Sequence, residues 1–198
     1  MWKTAKLGEI IDIARGGSPR PIKSFITTNE DGINWIKIGD TKEGEKYIFS
    51  TKEKIKKEGV SRSRYVKEGD FLLSNSMSFG RPYILGIDGC IHDGWLVLSN
   101  YSHELDADYL YYLLCSTVVK SQFESSARGS TVRNLNIDLV SKVVISYPTL
   151  EEQKAIAAKL DAAYREIENA NDFIIKSREN YFALKSAILA QELQSEAA

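Results

Sequence analysis

Few residues of this chain are of the types that make or break bonds, so their spacing is weighed first. The segment CIHDG holds Cys90, His92 and Asp93. A neighbouring His and Asp can orient an imidazole for general base work, and Cys, His and Asp are all metal donors. A metal centre needs three or four converging ligands, yet the only other histidine is His103. No serine in a nucleophile elbow accompanies the pair. Asp40 with Lys42, after the run WIKIG, comes nearest to the acid-and-lysine set of a metal-dependent nuclease, but an Asp at a strand-to-turn junction is ordinary turn chemistry. The residues therefore predict no catalytic group, no metal and no cofactor.

Two loops carry a different chemistry. ARGGSPRP contains Arg15, Ser18 and Arg20, and ARGSTVRN contains Arg128, Ser130, Thr131, Arg133 and Asn134. Neither has the Walker lysine spacing or a GxGxxG pattern. Glycine lets a backbone approach phosphate, hydroxyls donate to its oxygens, and Arg pairs bidentately with phosphate or guanine. The same residues also make plain turns, and composition alone leaves both readings open. Between Lys52 and Lys67 stand Lys54, Lys56, Lys57, Arg62 and Arg64, opposed only by Glu53 and Glu58. That run is either a basic contact patch or a solvated face.

The whole chain gives little help, because its net charge is -1 over 198 residues. The balance is uneven: 20 Lys and Arg against 18 Asp and Glu before Thr149, and 6 against 9 from there on. The 43% hydrophobic content suffices for a real core. Cys90 and Cys115 are far apart, with no CxxC and no secretory signal, which predicts buried free thiols and a reducing cytoplasm. No run approaches the about 20 apolar residues needed to cross a bilayer, so a soluble protein is expected.

What must position these loops is a strand-rich unit. Short apolar runs broken by Gly, Asp and Asn predict strands at Ile33 to Ile38, Asp70 to Ser74, Tyr83 to Ile87, Trp95 to Leu98 and Val143 to Ser146. VKEGD reads as the turn into the second of these. After Asp106, the stretch DADYLYYLLCSTVVKSQF predicts one helix with Leu110, Leu113, Leu114 and Val118 near one face. The class is α+β, with a boundary at Pro148: a globular domain over residues 1–148 and a long helix over 149–198.

Thr149 and Glu152 form a capping-box signature, so that helix begins at about Leu150. Along it Ile156, Leu160, Ala163, Ile167, Ala170, Ile174, Ser177, Tyr181, Leu184 and Ile188 alternate steps of four and three, the heptad period of a coiled coil. A helix this long cannot bury the stripe on a domain half its length, so a partner helix is expected, against the alternative of folding back on its own domain.

In order, KLGEIIDIARGGSPRP, INWIKIGDT, YIFSTKEKIKKEGVSRSRYVKEGDFLLSNSMSFGRPYIL, RGSTVRNLN, YPTLEEQKAIAAKLD and LKSAILAQEL resemble the specificity subunit of type I restriction-modification systems. Such subunits usually contain two target recognition domains, each followed by a long helix, with the helices packed antiparallel. This chain has one of each. The resemblance implies a non-catalytic module that reads half of a bipartite site in double-stranded DNA. Its helix would pair with a second repeat or a second copy, setting the half-site spacing, and would dock methyltransferase subunits and, in systems that have one, a restriction subunit. Many members carry Asn-Gln-Gly near mid-domain; IHDGW stands there instead, so a role tied to that glutamine is not carried over.

The DNA-contact candidates are Arg20, Lys23, Lys54, Lys57, Arg62, Arg64, Ser78, Arg81, Ser130, Thr131, Arg133 and Asn134. The helix-interface candidates are Ile156, Leu160, Ala163, Ile167, Ala170, Ile174, Tyr181, Leu184 and Ile188. A small nuclease with a dimerising tail and a coiled-coil adaptor without DNA are the rival readings.

Overall fold

The computed structural model describes residues 1–42, 44–75, 79–126 and 134–195. In chain order its elements are β1 (Lys3–Lys6), α1 (Leu7–Ile10), β2 (Asp12–Arg15), β3 (Ile26–Thr27), β4 (Ile33–Ile36), β5 (Tyr47–Ile48), β6 (Glu53–Ile55), β7 (Arg64–Val66), β8 (Phe71–Ser74), β9 (Pro82–Leu85), β10 (Gly89–Ile91), β11 (Trp95–Ser99), α2 (Ala107–Cys115), α3 (Thr117–Ser126), α4 (Ile137–Ser141), β12 (Val144–Tyr147) and α5 (Leu150–Ser195). Three 3-10 turns, Ile22–Ser24, Ile38–Asp40 and Lys57–Arg62, join strands. The chain divides into two compact units, Met1–Lys154 and Ala155–Ala198.

In the first unit, one sheet runs β2-β11-β8-β9-β5 and another runs β3-β6-β4-β10-β7. Their facing sides share a core of Ile36, Val66 and Ile91 from one sheet with Leu72, Tyr83, Leu85, Trp95 and Val97 from the other. Side chains alternate along a strand, so Phe71, Leu73, Leu96 and Leu98 point to the opposite side of the first sheet, where α2 lies on β9 and α4 on β2. Central strands covered on both faces read as continuous apolar runs, as FLLS and WLVLS do. The outer side of the second sheet buries Trp35, Ile55 and Cys90 under Ile22, Phe25 and Val60. A third, two-stranded sheet pairs β1 with β12, Lys3 opposite Tyr147.

The predicted helix after Asp106 is two helices. Ser116 is extended (φ -65°, ψ 152°), and its hydroxyl accepts from the Val119 amide at 3.3 Å. It therefore caps a new helix instead of continuing the old one, the usual competition of Ser with helical backbone. The strand predicted to reach Ile38 ends at Ile36, because the Asp40 carboxylate accepts from the Lys37 amide at 2.8 Å and winds the chain into a 3-10 turn. Cys90 is buried and Cys115 only partly so; both are free thiols.

The predicted capping box is present, with Thr149 N donating to the Glu152 carboxylate at 3.1 Å and Glu152 N to Thr149 Oγ1 at 3.4 Å. One turn in, Gln153 is fully buried. Its amide nitrogen donates to the carbonyls of Glu104 and Pro148, both at 2.9 Å, and its oxygen accepts from the Asp106 amide at 2.8 Å. Every one of those partners is backbone, so the helix start is fixed to the domain regardless of neighbouring side chains.

In the second unit the helix simply continues. The 46 residues of α5 span about 70 Å at 1.5 Å per residue. No helix among the described residues is long and apolar enough to cross a membrane.

Candidate nucleic-acid interface

β4 and β10 are parallel, with Cys90 opposite Trp35 and Ile91 opposite Ile36. Their C-terminal ends therefore open on the same edge, where Lys37, His92 and Asp93 follow. Asp93 is the junction. Its Oδ1 accepts from Ser18 Oγ at 2.7 Å, Arg20 Nη2 lies 3.5 Å from its Oδ2, and its carbonyl accepts from Arg15 Nε at 3.2 Å. The Ser18 hydrogen bond, helped by a backbone hydrogen bond and the charge of Arg20, holds this carboxyl below its ordinary value.

Asn75, buried at the end of β8, ties in two more segments. Its side-chain amide donates to the Asp93 carbonyl at 2.8 Å and its backbone N–H to the Gly94 carbonyl at 3.0 Å, while its own carbonyl accepts from Leu135 N at 2.8 Å. Through its side chain and its backbone, Asn75 thus joins the end of β8 to the 92–94 turn and to the chain at Leu135, while Asp93 brings in the loop after β2. Two glycines make the approach fit. A Cβ on Gly16 would sit 2.0 Å from the His92 carbonyl oxygen, and one on Gly80 (φ +71°) would press on the Phe123 ring at 2.9 Å.

His92 is a wedge under this junction, not a ligand. Its ring lies among Trp35 and Trp95, with centroids 6.4 and 6.1 Å away. Gly94 N donates to Nδ1 at 2.6 Å, and Ile38 N points at Nε2 from 3.2 Å. A neutral imidazole offers one lone pair, so the shorter contact is the hydrogen bond. Two backbone donors facing the ring leave a second proton unwelcome, and burial likewise lowers the pKa. No group of three or more His, Cys, Asp or Glu among the described residues could hold a metal. Asp40, the nuclease candidate, spends both carboxylate oxygens on the amides of Lys37 and Lys52.

The predicted contact residues separate into groups. Arg20 and Lys23 line an open cleft of about 400 Å³ beside Asp93, with Lys37 and Glu53, themselves paired at 2.6 Å, on its other wall. Arg62 lies over the Phe25 ring at 5.5 Å, and Arg64 Nε donates to the Arg15 carbonyl at 2.9 Å. Arg81 immediately precedes β9, its amide donating to Ser74 Oγ at 3.0 Å, and Asn134 is exposed next to Leu135. Lys54 and Lys57 belong to a different corner: Lys54 Nζ donates to the Glu30 carbonyl at 2.8 Å, and Lys57 pairs with Asp31 at 3.0 Å. Ser78, Ser130, Thr131 and Arg133 lie outside the described residues. Sequence reasoning did not select Asn75 or Asp93 as organisers. An Asn after an apolar run and an Asp before Gly are common turn formers, so no local signal separates a hub from a bend.

Of the helix-interface residues, Ile156 is partly buried, and Leu160, Ala163, Ile167, Ala170, Ile174, Tyr181, Leu184 and Ile188 are exposed in the single chain. Ile167, Ile174 and Leu184 keep 58%, 54% and 61% of their surface in water.

A family model described as the type I restriction modification DNA specificity domain matches residues 1–176. The chain belongs to that family. It is 25% identical over 199 aligned positions to the type I restriction enzyme MjaVIII specificity subunit of Methanocaldococcus jannaschii, covering 95% of this chain and 44% of that protein. Members of the family thus extend well beyond it: this chain spans less than half of that relative's length. Among solved structures, the HsdS subunit from Thermoanaerobacter tengcongensis shares its fold, with a TM-score of 0.66 at 22% identity over 84% of this chain and 38% of that one. A chain from work on complex assembly and conformational transition of the type I R-M system superposes with a TM-score of 0.67 at 24% identity, over 84% of this chain and 39% of the other.

Proposed function

We propose that this member of the specificity-domain family is a sequence-recognition module that reads one half of a bipartite site in double-stranded DNA and performs no catalysis. The observation that carries the reading is the convergence on Asn75 and Asp93 of the Gly-, Ser- and Arg-bearing loop after β2, the end of β8 and the chain at Leu135, which are far apart in sequence. Loops anchored in this way can present side chains to base edges, while Lys and Arg around them neutralise phosphates. Arg20, Lys23, Arg62, Arg64, Arg81 and Asn134, together with Ser78, Ser130, Thr131 and Arg133, supply the reading face; Lys54 and Lys57 supply phosphate contacts at its margin. Residues 1–148 do the reading, and the helix from residue 149 sets spacing and docks methyltransferase subunits and, where present, a restriction subunit. The apolar seam of that helix pairs with a second such helix, from another copy or a second repeat. The module works in the cytoplasm without a cofactor; methyl transfer and cleavage belong to its partners.

Selection of bound sequences from a random duplex pool, with the chain alone and with methyltransferase subunits, tests this. One enriched half-site motif, repeated across a fixed gap when two copies assemble, is expected. Binding no better than to an unrelated polyanion in both arms would return the chain to the adaptor reading.

A further inference from the structure

We propose that Arg15 and Arg64 are a pre-oriented pair of guanine readers, each held by its Nε so that its terminal N–H groups face the major-groove edge of a guanine. The assignment rests on the DNA-reading function above and adds which residues read and which base they take.

Arg15 ends β2, an edge strand of the first sheet, and Arg64 begins β7, an edge strand of the second. They meet where Arg64 Nε donates to the Arg15 carbonyl at 2.9 Å, and Arg15 Nε in turn donates to the Asp93 carbonyl at 3.2 Å. Each guanidinium thus spends one N–H on a main-chain oxygen, and its four terminal N–H groups have no partner among the described residues. Both residues are exposed. Neither forms an ion pair among the described residues, in contrast to Lys57 with Asp31. The carboxylate of Asp93, whose carbonyl Arg15 holds, is taken by Ser18 and Arg20.

Two cationic forks, each tethered through Nε to adjoining main-chain oxygens and without an anion among the described residues, call for a partner rich in acceptors. The end of a guanidinium presents two parallel donors, which match guanine O6 and N7; adenine offers one acceptor and one donor there, and cytosine a donor. Phosphate also accepts bidentately from a fork, but every duplex offers it alike, so a phosphate role would show equally on cognate and scrambled sequences. A role confined to stitching the two sheets uses only the Nε–H.

The test compares Arg15→Lys, Arg64→Lys and the full wild-type chain, in the assembly competent for sequence selection. Lysine keeps the charge and loses the fork. Each variant is expected to relax preference at one guanine position and to bind the cognate duplex about ten- to a hundredfold more weakly. Affinity for scrambled duplex and its salt dependence stay as in wild type. Replacing each cognate guanine in turn by 7-deazaguanine, which lacks the N7 acceptor, probes the intact protein. Wild type should lose affinity at two positions, and each Lys variant should be insensitive at the position it no longer reads. Unchanged letters in both variants, or no 7-deazaguanine effect at any position, overturn the assignment alone. Equal losses on cognate and scrambled duplexes with lowered melting temperatures reduce the pair to a stitch. A wild-type chain that selects no sequence would overturn the assignment together with the function beneath it.

Discussion

From Phe71 to Leu98 nearly every large apolar side chain is buried, whereas from Leu160 to Leu193 every one is exposed. The two regions are alike in apolar content and opposite in what they do with it. The strand region satisfies itself, because two sheets face each other and helices cover a further side. A lone helix has no facing surface, and helices in water owe most of their stability to packing. The second helix proposed above would cover the apolar surface of α5. That surface is wider than a heptad seam: Ile175, Phe182 and Leu189, also at seven-residue spacing, stand beside Ile174, Tyr181 and Ile188.

The comparison breaks most visibly at the seam. Changing both Ile167 and Ile174 to Asp should convert a dimer to monomers in sedimentation, since each buried large aliphatic contributes about 1.5 to 3 kcal/mol and a pair of helices would lose four. The melting of the strand region should be unchanged. An unaltered mass would remove this face from the interface. The opposite substitution, Trp95→Ala, should cost the domain about 3 to 5 kcal/mol in denaturant titrations, because a fully buried indole that donates to the Ile36 carbonyl at 3.2 Å is lost, while oligomeric mass stays the same. A cost below about 1 kcal/mol would mean that the facing sheets are not the core.

At the junction between the two behaviours, Gln153→Leu should destabilise the first unit by about 1 to 3 kcal/mol, since it strands the Asp106 amide and the Glu104 and Pro148 carbonyls; Gln153→Glu should not restore it, having no amide to donate. Hydrogen exchange at Asp106 reads this out. A ruler experiment sharpens the contrast further. Seven residues inserted after Ala170, with apolar positions in phase, keep the seam and add about 10 Å, so selected half-sites should move apart by about 3 base pairs with their letters unchanged. Five inserted residues should abolish the fixed gap.

The smallest effect is a pH slope. The folded pKa of His92 is lowered by burial from the ordinary 6.5, so below that value the unfolded chain binds a proton that the folded chain refuses. Stability is thus full above about pH 6.5 and falls as pH drops toward the folded value. His92→Gln should flatten that slope in melts across this range, and an unchanged slope would assign it to other groups.

Legibility followed the same division. The runs FLLS, PYIL and WLVLS are apolar enough to be read as strands, and VISY shows its period directly, with Ile145 and Tyr147 inward and Val144 and Ser146 outward. Strands of two to four residues with polar faces, such as KTAK, EKI and RYV, carry no pattern above background; only their neighbours in the sheet make them strands. The loop after β2 was legible as a Gly, Ser and Arg cluster, but not its meeting with Asp93 and Asn75, because those hydrogen bonds join residues 18 to 78 apart and two of them end on the Asp93 carbonyl, which leaves no trace in composition. Lys54 and Lys57, adjacent to Arg62 and Arg64 in sequence, went to another corner, since β6 runs antiparallel to β4 and carries them back along the sheet.

By itself the sequence determined the helix, its cap at Thr149 and its seven-residue stripe, because those depend on contacts three and four residues apart. It determined the buried strands too, because burial on both faces demands unbroken apolar runs. Tertiary structure alone decided which cations share a surface and which turn residues organise it. Those choices rest on hydrogen bonds between segments up to 78 residues apart, such as Arg15 to Asp93, and such bonds exist only once both sheets have folded against each other.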